Sequence, residues 1–150
     1  MISKELFKRD ISDIEIGVSV IHLYSEDEFE NAQIGYRKNK NGEEITDWIG
    51  DNYYVIGHDS CCGDPIVVDA SDKNYPVYSL FHDDWSALDK ITNSFKDYQE
   101  ILKTIDNTTL KTEDDADALV SKIAKIAPKE GYDYWEALIL SAYEFLSDND

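Results

Sequence analysis

Cysteine is nearly absent from this 150-residue chain, and its two copies, Cys61 and Cys62, are neighbours. A bridge between adjacent residues forces a strained ring outside ordinary disulfide geometry. The pair also lacks the two-residue gap of a zinc knuckle or redox motif. A disulfide-stapled fold is excluded, and the expected state is two reduced thiols in a reducing compartment. Histidine is almost as scarce, with only His22, His58 and His82, none in a His-Glu-x-x-His pair. No apolar run approaches the roughly 18 residues needed to span a bilayer. The N-terminal MISKELFKRDISD lacks the apolar core of a secretory signal. These two absences predict a cytoplasmic protein without a membrane partner.

Basic residues are in deficit, 14 against 32 acids, for a net charge of -18. The excess is spread evenly: residues 1–52 hold 12 acids and 6 bases, residues 53–105 hold 9 and 4, and residues 106–150 hold 11 and 4. Such a surface repels nucleic acid and anionic lipid. It favours a basic protein partner and speeds its encounter, although solubility alone also accounts for it. The chain is not a disordered acidic tail, because 42% of it is hydrophobic and 12% aromatic. One domain covering residues 1–150 suits this length.

The alternation of Ile14, Ile16, Val18 and Val20 predicts a half-buried strand running on to Leu23 or Tyr24. Ser25 and Glu28 have capping-box spacing for a short helix through Ala32. Residues 33–38 and 43–48 read as strands around the Asn41-Gly42 turn. Tyr53–Ile56, Ile66–Val68 and Val77–Phe81 complete the expected sheet, with Pro65 and Pro76 just before strands. Three helices follow, capped by Ser94, Thr112 and Asp133. Their apolar stripes are Phe95-Tyr98-Leu102-Ile105, Ala116-Leu119-Val120-Ile123 and Trp135-Leu138-Ile139-Ala142-Leu146. The pattern defines an α+β fold: a mostly antiparallel sheet with helices packed on one face and a C-terminal helical hairpin. The core covers about residues 14–105, with a helical extension over about 112–147.

Five motifs in order carry a family resemblance. They are Tyr54-Val55-Ile56-Gly57, Gly63-Asp64-Pro65-Ile66, Pro76-Val77-Tyr78, His82-Asp83 and Ser94-Phe95-Lys96-Asp97-Tyr98. This succession resembles the SUKH superfamily, which includes fungal cell-wall-synthesis regulators and many bacterial immunity proteins. The resemblance implies a non-enzymatic binding scaffold that neutralises a toxin, often a nuclease, by stoichiometric binding. It does not carry a contact map, because binding residues in that group vary with the toxin.

Candidate chemistry can be weighed from the residues themselves. His58, Asp59, Asp64, Asp69, His82, Asp83 and Asp84 are the right types for a metal site. Their places at strand ends and turns are where Asp is favoured for local backbone hydrogen bonds. The Gly57–Gly63 turn lacks the lysine and hydroxyl of a phosphate loop, and no Gly-x-Ser-x-Gly elbow exists. No catalytic residue, metal ligand or cofactor is therefore assigned. A metal-dependent hydrolase built on the Asp/His turns is the lesser alternative. A regulatory scaffold without a toxin partner is the other. The preferred partner contact is His82-Asp83-Asp84-Trp85, read as a strand-to-helix loop whose carboxylates and indole could meet a partner's arginine or lysine. Trp48, Asp59 and Asp64 are the further contact candidates, set against the plainer reading of core-edge packing and turn chemistry.

Overall fold

The fold was analysed in a computed structural model. It describes residues 2–9, 11, 13–45, 47–61, 63–81 and 84–148, with backbone alone at 81 and 84–87. The strands are β1 (Asp13–Ile16), β2 (Ser19–Leu23), β3 (Tyr53–Asp59), β4 (Pro65–Asp69), β5 (Val77–Phe81) and β6 (Asp84–Thr92). They form one six-stranded sheet in the order β1-β2-β3-β4-β5-β6. Every neighbouring pair is antiparallel. The helices are α1 (Glu26–Ala32), α2 (Phe95–Asp106), α3 (Glu113–Ala124) and α4 (Tyr132–Asp148). This is the expected α+β class.

The three long helices cover one face of the sheet. Ile14, Ile16, Ile21, Ile56, Ile66, Val68, Val77 and Ile91 turn to this side. They meet Tyr98, Ile101 and Leu102 of α2, Leu119 and Ile123 of α3, and Trp135 and Ile139 of α4. Capping chemistry starts α2 and α3 where the sequence indicates. Ser94 Oγ accepts from the Asp97 N–H at 3.0 Å. Thr112 and Asp115 close a reciprocal box. A side-chain acceptor at this place satisfies an amide that the helix itself leaves open.

Four local expectations change. The strand expected from Ile14 to Leu23 folds back at Gly17-Val18, giving two strands paired Ile16 to Ser19. Gly17 has φ +61, and a Cβ there would lie 2.7 Å from Ala142 Cα. Only glycine satisfies both that backbone and that approach. Val18 is 61% exposed, not on the buried face.

The strands expected over 33–38 and 43–48 reduce to isolated bridges, Ile34 to Lys38 and Lys38 to Glu44. The turn between them survives, with Gly42 at φ +82. The reason lies at the free edge of β3. Beyond Gly57 this edge has no strand from β2, and side chains take over its hydrogen bonds. Gln33, 2% exposed, accepts from the Val55 N–H at 3.0 Å and donates to the Val55 carbonyl at 2.8 Å. Arg37 Nη1 and Trp48 Nε1 both donate to the Tyr53 carbonyl at 3.1 Å. Buried backbone groups must be paired, and here side chains pair them.

The third correction is β6. From Asp84 onward the chain does not run as a loop into a helix. Asp84 pairs with Phe81, and the strand continues to Thr92. Asp84 and Trp85 therefore begin a strand, while His82 and Asp83 lie outside the described residues. Fourth, α4 begins at Tyr132, directly after the 3-10 turn Lys129–Gly131, so Asp133 sits in its first turn and not at its cap. Leu146, expected on the buried face of α4, is 41% exposed.

Candidate protein-binding surface

A meander puts alternate connections at the same end of its sheet. The β1–β2 turn, the β3–β4 turn and the paired ends of β5 and β6 at Phe81 and Asp84 all lie at one end. Of the candidate contacts, Asp59 and Asp64 flank the β3–β4 turn, and Asp84 opens β6 at this same end. Trp48 is not among them. It is half-buried and packs with Tyr53 at the opposite end of β3. His82 and Asp83 are outside the described residues, as is the side chain of Trp85.

The β3–β4 turn is tightly braced. The Gly63 N–H reaches the Asp59 carbonyl at 2.8 Å, with Gly63 at φ +75. The Asp59 carboxylate accepts from the Cys61 N–H at 2.9 Å. Ser60 joins the turn to β2: its N–H bonds the Val20 carbonyl at 3.0 Å, and its Oγ accepts from the Val20 N–H at 2.9 Å. Cys61 is an exposed free thiol, and Cys62 lies outside the described residues. Asp59 and Asp64 also act on the helix side. Burial, then these two carboxylates, raise the Tyr134 hydroxyl well above the ordinary phenol range.

Beside this turn lies a group that sequence reading did not assemble. Period-2 alternation on β2 and pairing of His22 with His58 bring His22, Tyr24 and His58 to the face away from the three long helices. Neighbouring rings in this trio lie 5.5 to 5.7 Å apart. His22 Nδ1 bonds Asp13 of β1, and its Nε2 bonds Glu28 of α1 at 2.9 Å. A carboxylate can only accept, so both bonds are satisfied together when the imidazole is the doubly protonated cation. Burial lowers His22, but the hydrogen bonds from Asp13 and Glu28 outweigh it and hold the ring above its ordinary value. Burial and the neighbouring His22 lower His58, whose Nδ1 lies 2.7 Å from the Tyr24 hydroxyl.

The arrangement has a chemical consequence. In that doubly protonated form His22 offers no lone pair to a metal or a substrate proton. Among the described residues no group of three His, Cys, Asp or Glu side chains is placed to hold a metal ion. No described helix is long and apolar enough to cross a membrane. The signal that could have found the trio was the β1–β2 turn; once Gly17 is read as a turn, His22 and His58 fall on adjacent strands.

The chain matches no family model, and neither a curated protein nor a solved structure is significantly similar to it.

Proposed function

We propose that this protein is a non-enzymatic, immunity-type binding protein of the cytoplasm, neutralising a basic toxin domain by occupying its surface. The observation that carries the reading is that Asp59 and Asp64 flank the β3–β4 turn and the Asp84 backbone opens β6 at that same end of the sheet, in a chain of net charge -18. Turns mounted on a packed sheet lose little entropy when they bind. Their carboxylates can pair with lysine or arginine by charge-assisted bonds. The surrounding negative field steers a basic partner inward and repels nucleic acid. The SUKH-like motif order supports the same reading.

The test is co-expression with a neighbouring gene product that is basic and toxic. Growth rescue, a stoichiometric complex and an association rate that falls with salt are the expected results. Asp59→Lys with Asp64→Lys should slow association about tenfold or more, as removal of steering charges does. Unchanged association would remove the β3–β4 turn from the interface. Complex formation without rescue of growth would favour a regulatory scaffold instead.

A further inference from the structure

Between α1, the segment after it and the β3–β4 turn lies an open concavity of about 780 Å³. Its walls include Tyr24, Tyr36 and His58, and its rim carries Asp27, Glu28 and Asn31. None of its lining residues is Lys or Arg, so nothing in the wall opposes an incoming cation.

The aromatic walls are pinned. The Tyr36 hydroxyl donates to the Gly63 carbonyl at 2.8 Å, and the Tyr24 hydroxyl and His58 hold one another at 2.7 Å. Glu28 is fixed as well: one carboxylate oxygen accepts from the Ser25 N–H at 3.0 Å and the other from His22. His22 and Arg9, whose guanidinium donates to the Tyr24 carbonyl and acts on Glu28, bring two positive charges behind the wall, and Asp13, Glu28 and Asp27 bring three negative ones. The site is therefore negative, concave, aromatic and pre-organised.

We infer that this concavity receives an arginine side chain of the protein partner. A guanidinium is flat and weakly hydrated, stacks on aromatic faces and offers several donors in one plane. Tyr36 and His58, both part-exposed, supply the faces, and the buried Tyr24 backs them. Asp27, Glu28 and Asn31 supply the acceptors. An ammonium fits less well, because it is compact and strongly hydrated. The inference rests on the reading of a basic partner and gives it an anchor, next to the acidic β3–β4 turn.

The experiment needs no identified partner. The full chain, isotopically labelled, is titrated with acetyl-Gly-Arg-Gly-amide and followed by backbone amide resonances. The neutral citrulline peptide and the lysine peptide are the controls. The arginine peptide should give saturable shifts centred on Asn31, Tyr36, His58 and Ser60. The citrulline peptide should give none at the same concentration, and the lysine peptide should bind more weakly. Asp27→Lys, on an exposed position, should weaken arginine binding about tenfold while leaving the remaining spectrum in place. Equal shifts from all three peptides, or shifts spread over the whole acidic surface, would overturn the inference. The outcomes separate cleanly from those of co-expression. A saturable arginine site with no rescuing toxin leaves the site standing and removes the immunity reading. A tight toxin complex with no arginine site leaves immunity standing and moves its anchor elsewhere.

Discussion

The two faces of the sheet are built differently. Under the helices, aliphatic strand residues meet helix residues of matching shape, and Ile21, Val68, Val77, Ile91, Tyr98, Ile101, Leu102 and Ile139 are wholly buried. On the other face the sealed core is small: Tyr24, Val55, Val67 and Leu80, bordered by Tyr36, Trp48, Tyr53 and Tyr78. Among the described residues no long helix covers it; residues 33–45 and 47–52 do, fastened through Gln33, Arg37 and Trp48. A closed aliphatic layer supplies most of the burial energy. A polar layer closed by side-chain hydrogen bonds leaves concavities and ionisable groups at the surface. Aliphatic burial is concentrated on the first face, and the His22-Tyr24-His58 group with its carboxylates lies on the second.

Two of the three tryptophans, Trp135 and Trp48, test that division most sharply. Trp135 is 1% exposed and donates its indole N–H to the Ile91 carbonyl at 2.8 Å. Trp135→Ala should cost about 3–5 kcal/mol, from lost burial and a cavity between α4 and β6. Trp48 makes the equivalent bond to Tyr53 but is only half-buried, so Trp48→Ala should cost less than half as much. Urea denaturation of both variants decides the matter. Equal losses would mean that the second face carries as much stability as the first.

The next effect in size belongs to the point where the β1–β2 turn meets α4. Gly17→Ala must place a methyl group 2.7 Å from the Ala142 Cα, at φ +61. The left-handed backbone and the overpacking together should cost about 2–4 kcal/mol. A melting temperature within a degree of the parent would show that the turn can move away from α4, and that the helix face is looser than described.

A change of opposite sign is expected at Tyr98. Its hydroxyl is sealed in the helix-side core and finds no hydrogen-bonding group among the described residues. Burial pushes it well above the ordinary phenol range. An unpaired buried hydroxyl is destabilising, so Tyr98→Phe should raise stability by about 1 kcal/mol. A loss of stability would reveal a partner for the hydroxyl and a polar element within the aliphatic face.

The same contrast governs what was legible in the sequence. The helix-side elements follow local rules: the Ser94 and Thr112 caps and the stripes of α2 and α3 are written in consecutive residues. Residues 33–52 follow a non-local rule. Gln33 is a buried amide because Val55 lies opposite with an unpaired edge, and nothing in the local sequence states that. The Asn41-Gly42 turn was legible, but the strands inferred on either side were not needed once side chains had satisfied β3. The β1–β2 fold-back was hidden by apolar alternation that runs unbroken through Gly17 to Val18. For the candidate site, Asp59 and Asp64 were readable as turn residues. That Asp84 shares their end of the sheet depended on finding β6 itself. The His22-Tyr24-His58 trio required the register of two antiparallel strands.

The smallest predicted effect concerns His22, where the second face ties α1, β1 and β2 together by charge. The ring is held above its ordinary value of 6.5, while the Ser25 N–H and then His22 hold Glu28 below its ordinary 4.5. A group with a raised folded value stabilises fully below its unfolded value and loses that contribution as pH rises through the folded one. A group with a lowered value does the reverse: its contribution is complete above the unfolded value and is lost as pH falls through the folded one. The clamp should therefore be strongest between pH 4.5 and 6.5. Both partners of His22 are substantially exposed, at 58% for Asp13 and 47% for Glu28, so solvent screening should keep the whole effect to about 1 kcal/mol or less. Chemical denaturation of the parent and of His22→Gln across pH 4 to 8 measures it. The gap between the two proteins should be widest in that window and should narrow above it as the imidazolium loses its proton. A gap independent of pH would mean that His22 holds α1 by shape and not by charge.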